Sequence, residues 1–156
     1  MTRRGRAGKW QSKDGKTGLS AQCETRYLYQ TPPEKRARAI VFTLSGEVRI
    51  GHVRHKSEMR IEADENLIAS LAGAINAMQI AAGPVRSSKQ DSVEFLSEVK
   101  SPAGGVLYFG YRLPAAPQPA PADAFFGVRA PTGEIEIAFQ DETALGQVFA
   151  FLQGTT

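Results

Sequence analysis

The strongest constraint on this chain is an internal repeat. Asp64-Glu65-Asn66-Leu67-Ile68 is answered by Asp141-Glu142-Thr143-Ala144-Leu145, each an acidic pair and a polar residue that lead into an apolar run with helical spacing. At an offset of 77, Ile68 aligns with Leu145, Leu71 with Val148 and Ile75 with Leu152. Just upstream, Met59-Arg60-Ile61-Glu62-Ala63 aligns with Ile135-Glu136-Ile137-Ala138-Phe139 at an offset of 76, with Gln140 as the extra residue. Each half therefore ends as an alternating strand that runs into an amphipathic helix. A duplicated strand-rich unit closed by a helix leaves few folds open.

The 156 residues suffice for one domain with its own core, without metal or disulfide. The single cysteine, Cys23, has no partner for an internal disulfide, which suits a reducing, cytoplasmic setting. The longest mostly apolar run, Leu67 to Pro84, is interrupted by Ser70, Asn76 and Gln79, so no membrane span is expected. Charge is distributed unevenly. Residues 1–60 hold 14 Lys/Arg against 5 Asp/Glu, and residues 61–156 hold 5 against 11. That asymmetry suits a polyanionic partner or a soluble basic arm.

Residues 1–19 mix six cations with four glycines and offer only Trp10 to a core, so they read as a flexible basic arm. Residues 20–156 read as a single domain of two repeats, 20–83 and 84–156. In the first, strands are expected at 21–30, 38–45, 48–55 and 58–63, with turns at Thr31-Pro32-Pro33, Ser45-Gly46-Glu47 and His55-Lys56-Ser57. A helix follows from about Glu65 to Ala82, capped by Asp64 and stopped by Gly83-Pro84. In the second, strands are expected at 90–100, 106–113, 124–130 and 134–140. The proline-rich stretch 114–123 forms a long hairpin loop, and Asp141 caps a helix over 142–153 with Leu145, Val148, Phe149 and Leu152 as its stripe. The fold class is α+β: a four-stranded antiparallel sheet plus a helix, ββββα, twice, packed about a pseudo-twofold axis.

This element order over about residues 20–153 resembles the Whirly family of single-stranded DNA-binding proteins and its relatives, the Pur-alpha repeats among them. The Lys-Gly-Lys-Ala-Ala-Leu motif of plant Whirly proteins has no counterpart here, so no family residue transfers to a position of this chain. The resemblance implies binding of single strands across the sheets, low sequence preference and often oligomers; single-stranded DNA is expected ahead of RNA as the ligand, with a homo-oligomer as an option.

Gripping a single strand without sequence choice needs cations along the phosphates and aromatic faces for the bases. Strand alternation supplies both. With Val48 and Ile50 inward, Arg49 faces out; with Met59 and Ile61 inward, Arg60 faces out. With Leu107, Phe109 and Leu113 inward, Tyr108 and Arg112 face out; with Phe126 and Val128 inward, Phe125 and Arg129 face out. A slip of one residue would reverse any strand. Arg54, His55 and Lys56 fall at an expected corner near Arg36 and Arg38, a cluster suited to phosphate contacts. The candidate nucleic-acid-binding residues are therefore Arg36, Arg38, Arg49, Arg54, Lys56, Arg60, Tyr108, Arg112, Phe125 and Arg129. The alternation leaves open whether Arg26 and Leu28, or Tyr27 and Tyr29, face the core.

Nucleophilic catalysis finds little support. Cys23 has the character of a small core residue, and no nucleophile elbow surrounds any serine. Capping accounts for Asp64-Glu65 and Asp141-Glu142. His52 and His55 would point to opposite faces of a strand, so neither a metal nor a cofactor is expected. The alternative to nucleic-acid binding is a pseudosymmetric scaffold or interaction factor. The small residues of the first helix, from Ala69 to Ala82, suit close packing in the core or against a second subunit.

Overall fold

A computed structural model describes residues 2–50, 52–86, 93–102, 104–113, 123–131, 133–139 and 143–154, with the side chains at 47–50, 54 and 83–86 outside that description. Strands β1 (Thr2–Gln11), β2 (Gly18–Arg26), β3 (Ala37–Ile50) and β4 (Val53–Ala63) precede helix α1 (Glu65–Arg86). Strands β5 (Val93–Lys100), β6 (Val106–Leu113), β7 (Asp123–Ala130) and β8 (Gly133–Phe139) precede α2 (Thr143–Gln153). Each set of four forms its own antiparallel sheet in chain order, so the ββββα plan occurs twice.

The inner faces of both sheets and one stripe of each helix make one core. Phe42 of the first sheet meets Phe126 of the second at 5.9 Å between ring centroids, and Phe126 stacks on Phe109. The repeat offset persists in burial: Leu71 and Val148, and Ile75 and Leu152, are all buried, as are Ile61 and Ile137 on the last strands. Helix α1 opens as expected, with the Leu67 amide donating to the Asp64 carboxylate at 2.8 Å. The corresponding Asp141, like the proline-rich stretch 114–122, lies outside the described residues.

Three expectations need correction. The basic N-terminus is not a free arm. It is β1, paired along its length with β2, and Trp10 holds it down. The indole donates to Gln147 at 3.0 Å and meets Phe151 edge-on at 5.9 Å, while Arg6 donates to the Phe151 carbonyl at 2.7 Å, near the end of α2. Ser45-Gly46-Glu47 is not a turn, nor is His55-Lys56-Ser57. β3 and β4 run through both in unbroken register from Ile40↔Ala63 to Ile50↔Val53. Two errors thus cancelled: one expected strand too many in 38–63 replaced the strand that the arm supplies. Finally, α1 continues past Gly83-Pro84 to Arg86.

Candidate nucleic-acid interface

Each sheet has an outer face, and the two faces differ in chemistry. On the first, register sets Lys9, Ser20, Thr43 and Arg60 in one row across all four strands. Three strand spacings separate the two cations, about 14 Å. Ala7, Gln22, Val41 and Glu62 form the neighbouring row. The register of β1 shifts between Arg4 and Ala7, a bulge that Gln22 braces by donating to the carbonyls of Gly5 and Arg6 at 2.9 and 3.2 Å. Between Arg4, Lys9 and Arg60 lies a depression of about 280 Å³ lined by small side chains, Ser20, Val41 and Thr43 among them, and by Gln22 and Glu24, the latter engaged by Arg26.

The cations of this face are unequally occupied. Arg26 is bound by Glu24 at 2.7 Å and Glu62 at 2.8 Å; these hydrogen bonds raise its pKa, and Arg26 in turn holds the Glu62 carboxyl below the usual carboxylate range. Arg60 reaches Glu62 only at 3.9 Å. Arg4 and Lys9 have no ion-pair partner among the described residues. Further along, Lys16 in the β1–β2 turn and Lys56 on β4 flank a second hollow of about 580 Å³ with Ser45, Ser57 and Glu58.

The outer face of the second sheet is a closed lattice. Tyr108 and Phe125 point outward as the alternation demands, yet they are only 5% and 1% exposed. The reason is glycine. Tyr108 pairs across the strands with Gly127, and Phe125 with Gly110, so each ring lies down over a neighbour that has no side chain. A Cβ at Gly127 would fall 2.3 Å from the Tyr108 ring, and one at Gly110 2.6 Å from that of Phe125. Arginines cover the rings: the Arg112 guanidinium sits 4.2 Å from the Phe125 centroid and that of Arg129 5.5 Å from Tyr108. Glutamates then occupy the arginines, Glu98 at 2.7 Å from Arg129 and Glu136 at 3.3 Å from Arg112. The Tyr108 hydroxyl donates to Glu134 at 2.6 Å, and burial, followed by this carboxylate, pushes its pKa up. The expectation that Tyr108 and Phe125 offer open faces to bases is thus corrected.

The remaining candidates are scattered. Arg38 follows the inward phase of β3, opposite Thr25, and lines a cavity of about 440 Å³ with Cys23, Glu65 and Leu152. Burial raises the pKa of the Cys23 thiol there. Arg36 lies in the β2–β3 connection, stacked 4.1 Å over the Tyr27 ring. The expected cluster of Arg36 and Arg38 with Arg54 and Lys56 does not form. Lys56 pairs with Glu47, nine residues along β3 from Arg38, or about 30 Å. Arg49 and Arg54 oppose each other in register near the end of the β3–β4 ladder, and their side chains lie outside the described residues. Sequence reasoning missed Arg4 and Lys9 because it placed them on an arm. Their signal was the two-residue spacing that puts Gly8 and Trp10 on the opposite side. Among the described residues, no group of three or more His, Cys, Asp or Glu could hold a metal ion.

No known protein family matches this chain, and no curated protein matches it. Among solved structures it is similar to the plant transcriptional regulator PBF-2, with 10% identity and a TM-score of 0.43, over 95% of this chain and 78% of that one.

Proposed function

We propose that this chain is a single-stranded nucleic-acid-binding protein without catalytic activity, and that it holds the strand by its phosphates on the outer face of the first sheet. The observation that carries this reading is the trio of Arg4, Lys9 and Arg60 around a shallow, small-residue depression. Cations without firm partners keep their full attraction for phosphate, whereas Arg112 and Arg129 are already matched by carboxylates. Small floor residues let a backbone or base lie close to the sheet. Ser20 and Thr43 both donate and accept, which gives low sequence preference.

The test is titration of labelled single- and double-stranded oligonucleotides at two salt concentrations. Single-strand affinity should fall with salt at a log–log slope of about −0.7 for each phosphate neutralised. Lys9→Ala and Arg60→Ala should each weaken binding and flatten that slope. Equal, negligible binding of both strand types at low salt would overturn the reading. A second reading, an interaction scaffold, is supported by the solvent side of α1, where Ala69, Gly73, Ala77 and Ala81 are exposed and Ile80 is 67% exposed. Sedimentation of wild type against Ala77→Lys tests it.

A further inference from the structure

The phosphate track leaves the bases without a stacking partner, because the aromatic rings of the second sheet are covered. The structure offers one elsewhere. Leu28 and Tyr29 are 81% and 80% exposed, more than any other large hydrophobic side chain among the described residues. They stand at the tip of the connection between β2 and β3. From these observations we infer that Tyr29 is a stacking platform for an unpaired base at the end of the phosphate track, an inference that rests on the reading above.

The tip is held in place. The Thr31 amide donates to the Leu28 carbonyl at 3.1 Å, closing a turn in which Gln30 takes a φ of 67°, an uncommon value for a residue with a side chain. Arg36 donates from Nε to the Thr31 carbonyl at 3.0 Å and lays its guanidinium over Tyr27. Tyr27 is therefore the brace. Tyr29 makes no ring contact among the described residues and presents its face to solvent. Two adjacent exposed apolar side chains on a braced turn are available to a ligand without rearrangement of the turn.

The occupant follows from charge and position. Lys35 and Arg36 accompany Glu34 in the same connection, so the connection carries a net positive charge. The connection leaves β2 at Arg26 and enters β3 at Ala37, a row that β1 completes with Thr2. Arg4 lies in the next row, opposite Glu24. A strand whose phosphates run from Lys9 and Arg60 toward Arg4 therefore leaves the sheet at the end where Tyr29 stands. A base has a flat face for the ring and a phosphate on each side for the cations.

The experiment uses a short single-stranded oligonucleotide carrying 2-aminopurine, whose fluorescence falls on stacking, and a matching oligonucleotide with abasic sites. Wild type should quench the probe. Tyr29→Ala should lose the quench and weaken binding by about tenfold or more, and Tyr29→Phe should retain both. The salt slope should not change, since no charge is altered, and the abasic strand should bind wild type and Tyr29→Ala alike. If Tyr29→Ala binds and quenches as wild type does while Lys9→Ala weakens binding, the platform is refuted and the phosphate track stands. If wild type binds no single strand at low salt, both fall. If Tyr29→Ala changes only self-association or adsorption to anionic vesicles, the tip serves a protein or a membrane and the inference is overturned.

Discussion

Replacing Trp10 with alanine isolates the contact that turns a glycine-rich basic segment into a strand. The indole is half-buried, packs edge-on to Phe151 and donates to Gln147. Full burial of a tryptophan is worth about 3–5 kcal/mol on truncation. Half of that, with a partly exposed hydrogen bond of about 0.5–1 kcal/mol, gives roughly 2–3 kcal/mol. For a chain of this size each kcal/mol moves Tm by about 2–4 °C, so a fall of roughly 5–10 °C is expected. Far-UV circular dichroism is the assay, because Trp10 is the sole tryptophan and its fluorescence disappears with it. Gly8 supplies an internal control: a Cβ there would fall 2.6 Å from the indole. Gly8→Ala should destabilise the wild type and have little further effect in Trp10→Ala, a coupling that a double-mutant cycle measures. A Trp10→Ala Tm within 1 °C of wild type, with Gly8→Ala equally silent, would refute the docking of β1 and with it the placement of Arg4 and Lys9 on the sheet.

Other consequences are equally open to measurement. Gly127→Ala drives a methyl group into the Tyr108 ring and should cost about 1–3 kcal/mol in urea denaturation, relieved when Tyr108 is also reduced to alanine. Arg26 depresses the folded-state pKa of Glu62, so the stabilisation is complete above the ordinary carboxylate pKa of about 4.3 and fades as pH falls through the lower folded value. Both groups are substantially exposed, which limits the effect to roughly a few tenths of a kcal/mol; Glu62→Gln should flatten the urea midpoint between about pH 5 and pH 3 by that amount. Cys23 is buried with a raised pKa and should react with a disulfide reagent at neutral pH only as fast as the chain opens; rapid labelling of the native protein would contradict its burial.

The second repeat was the more legible in sequence. Its strands β6, β7 and β8 fall within a residue of their expected bounds, because turn residues and alternation agree there. The first repeat misled where local signals outvoted the pairing partner. Ser45-Gly46-Glu47 has turn chemistry, yet Gly46 sits in the ladder opposite Ser57, where a Cβ would meet Thr17 at 2.9 Å. Residues 2–11 carry a strand's alternation only at Gly8 and Trp10, and the surfaces that order them, α2 and β2, are distant in sequence. Inward and outward assignment succeeded for Arg60, Tyr108, Arg112, Phe125 and Arg129, since side-chain direction follows period two. Exposure did not follow, because it depends on which residue lies across the strand. Gly110 and Gly127 were the available signal, readable only once the register paired each with an aromatic ring.

The bulge in β1 has a bearing on solubility. β1 is an edge strand, and its free side is a template on which another chain could add a strand. Arg3, Arg4 and Lys9 lie along that strand, and the interruption between Arg4 and Ala7 breaks its straight run of hydrogen-bonding groups. Mutual repulsion between such margins opposes edge-to-edge joining. On the proposed reading, the cations that hold a polyanion would also guard against aggregation, and a bound polyanion would neutralise that guard. Variants stripped of these charges should be handled at low concentration, where loss of binding can be told apart from aggregation.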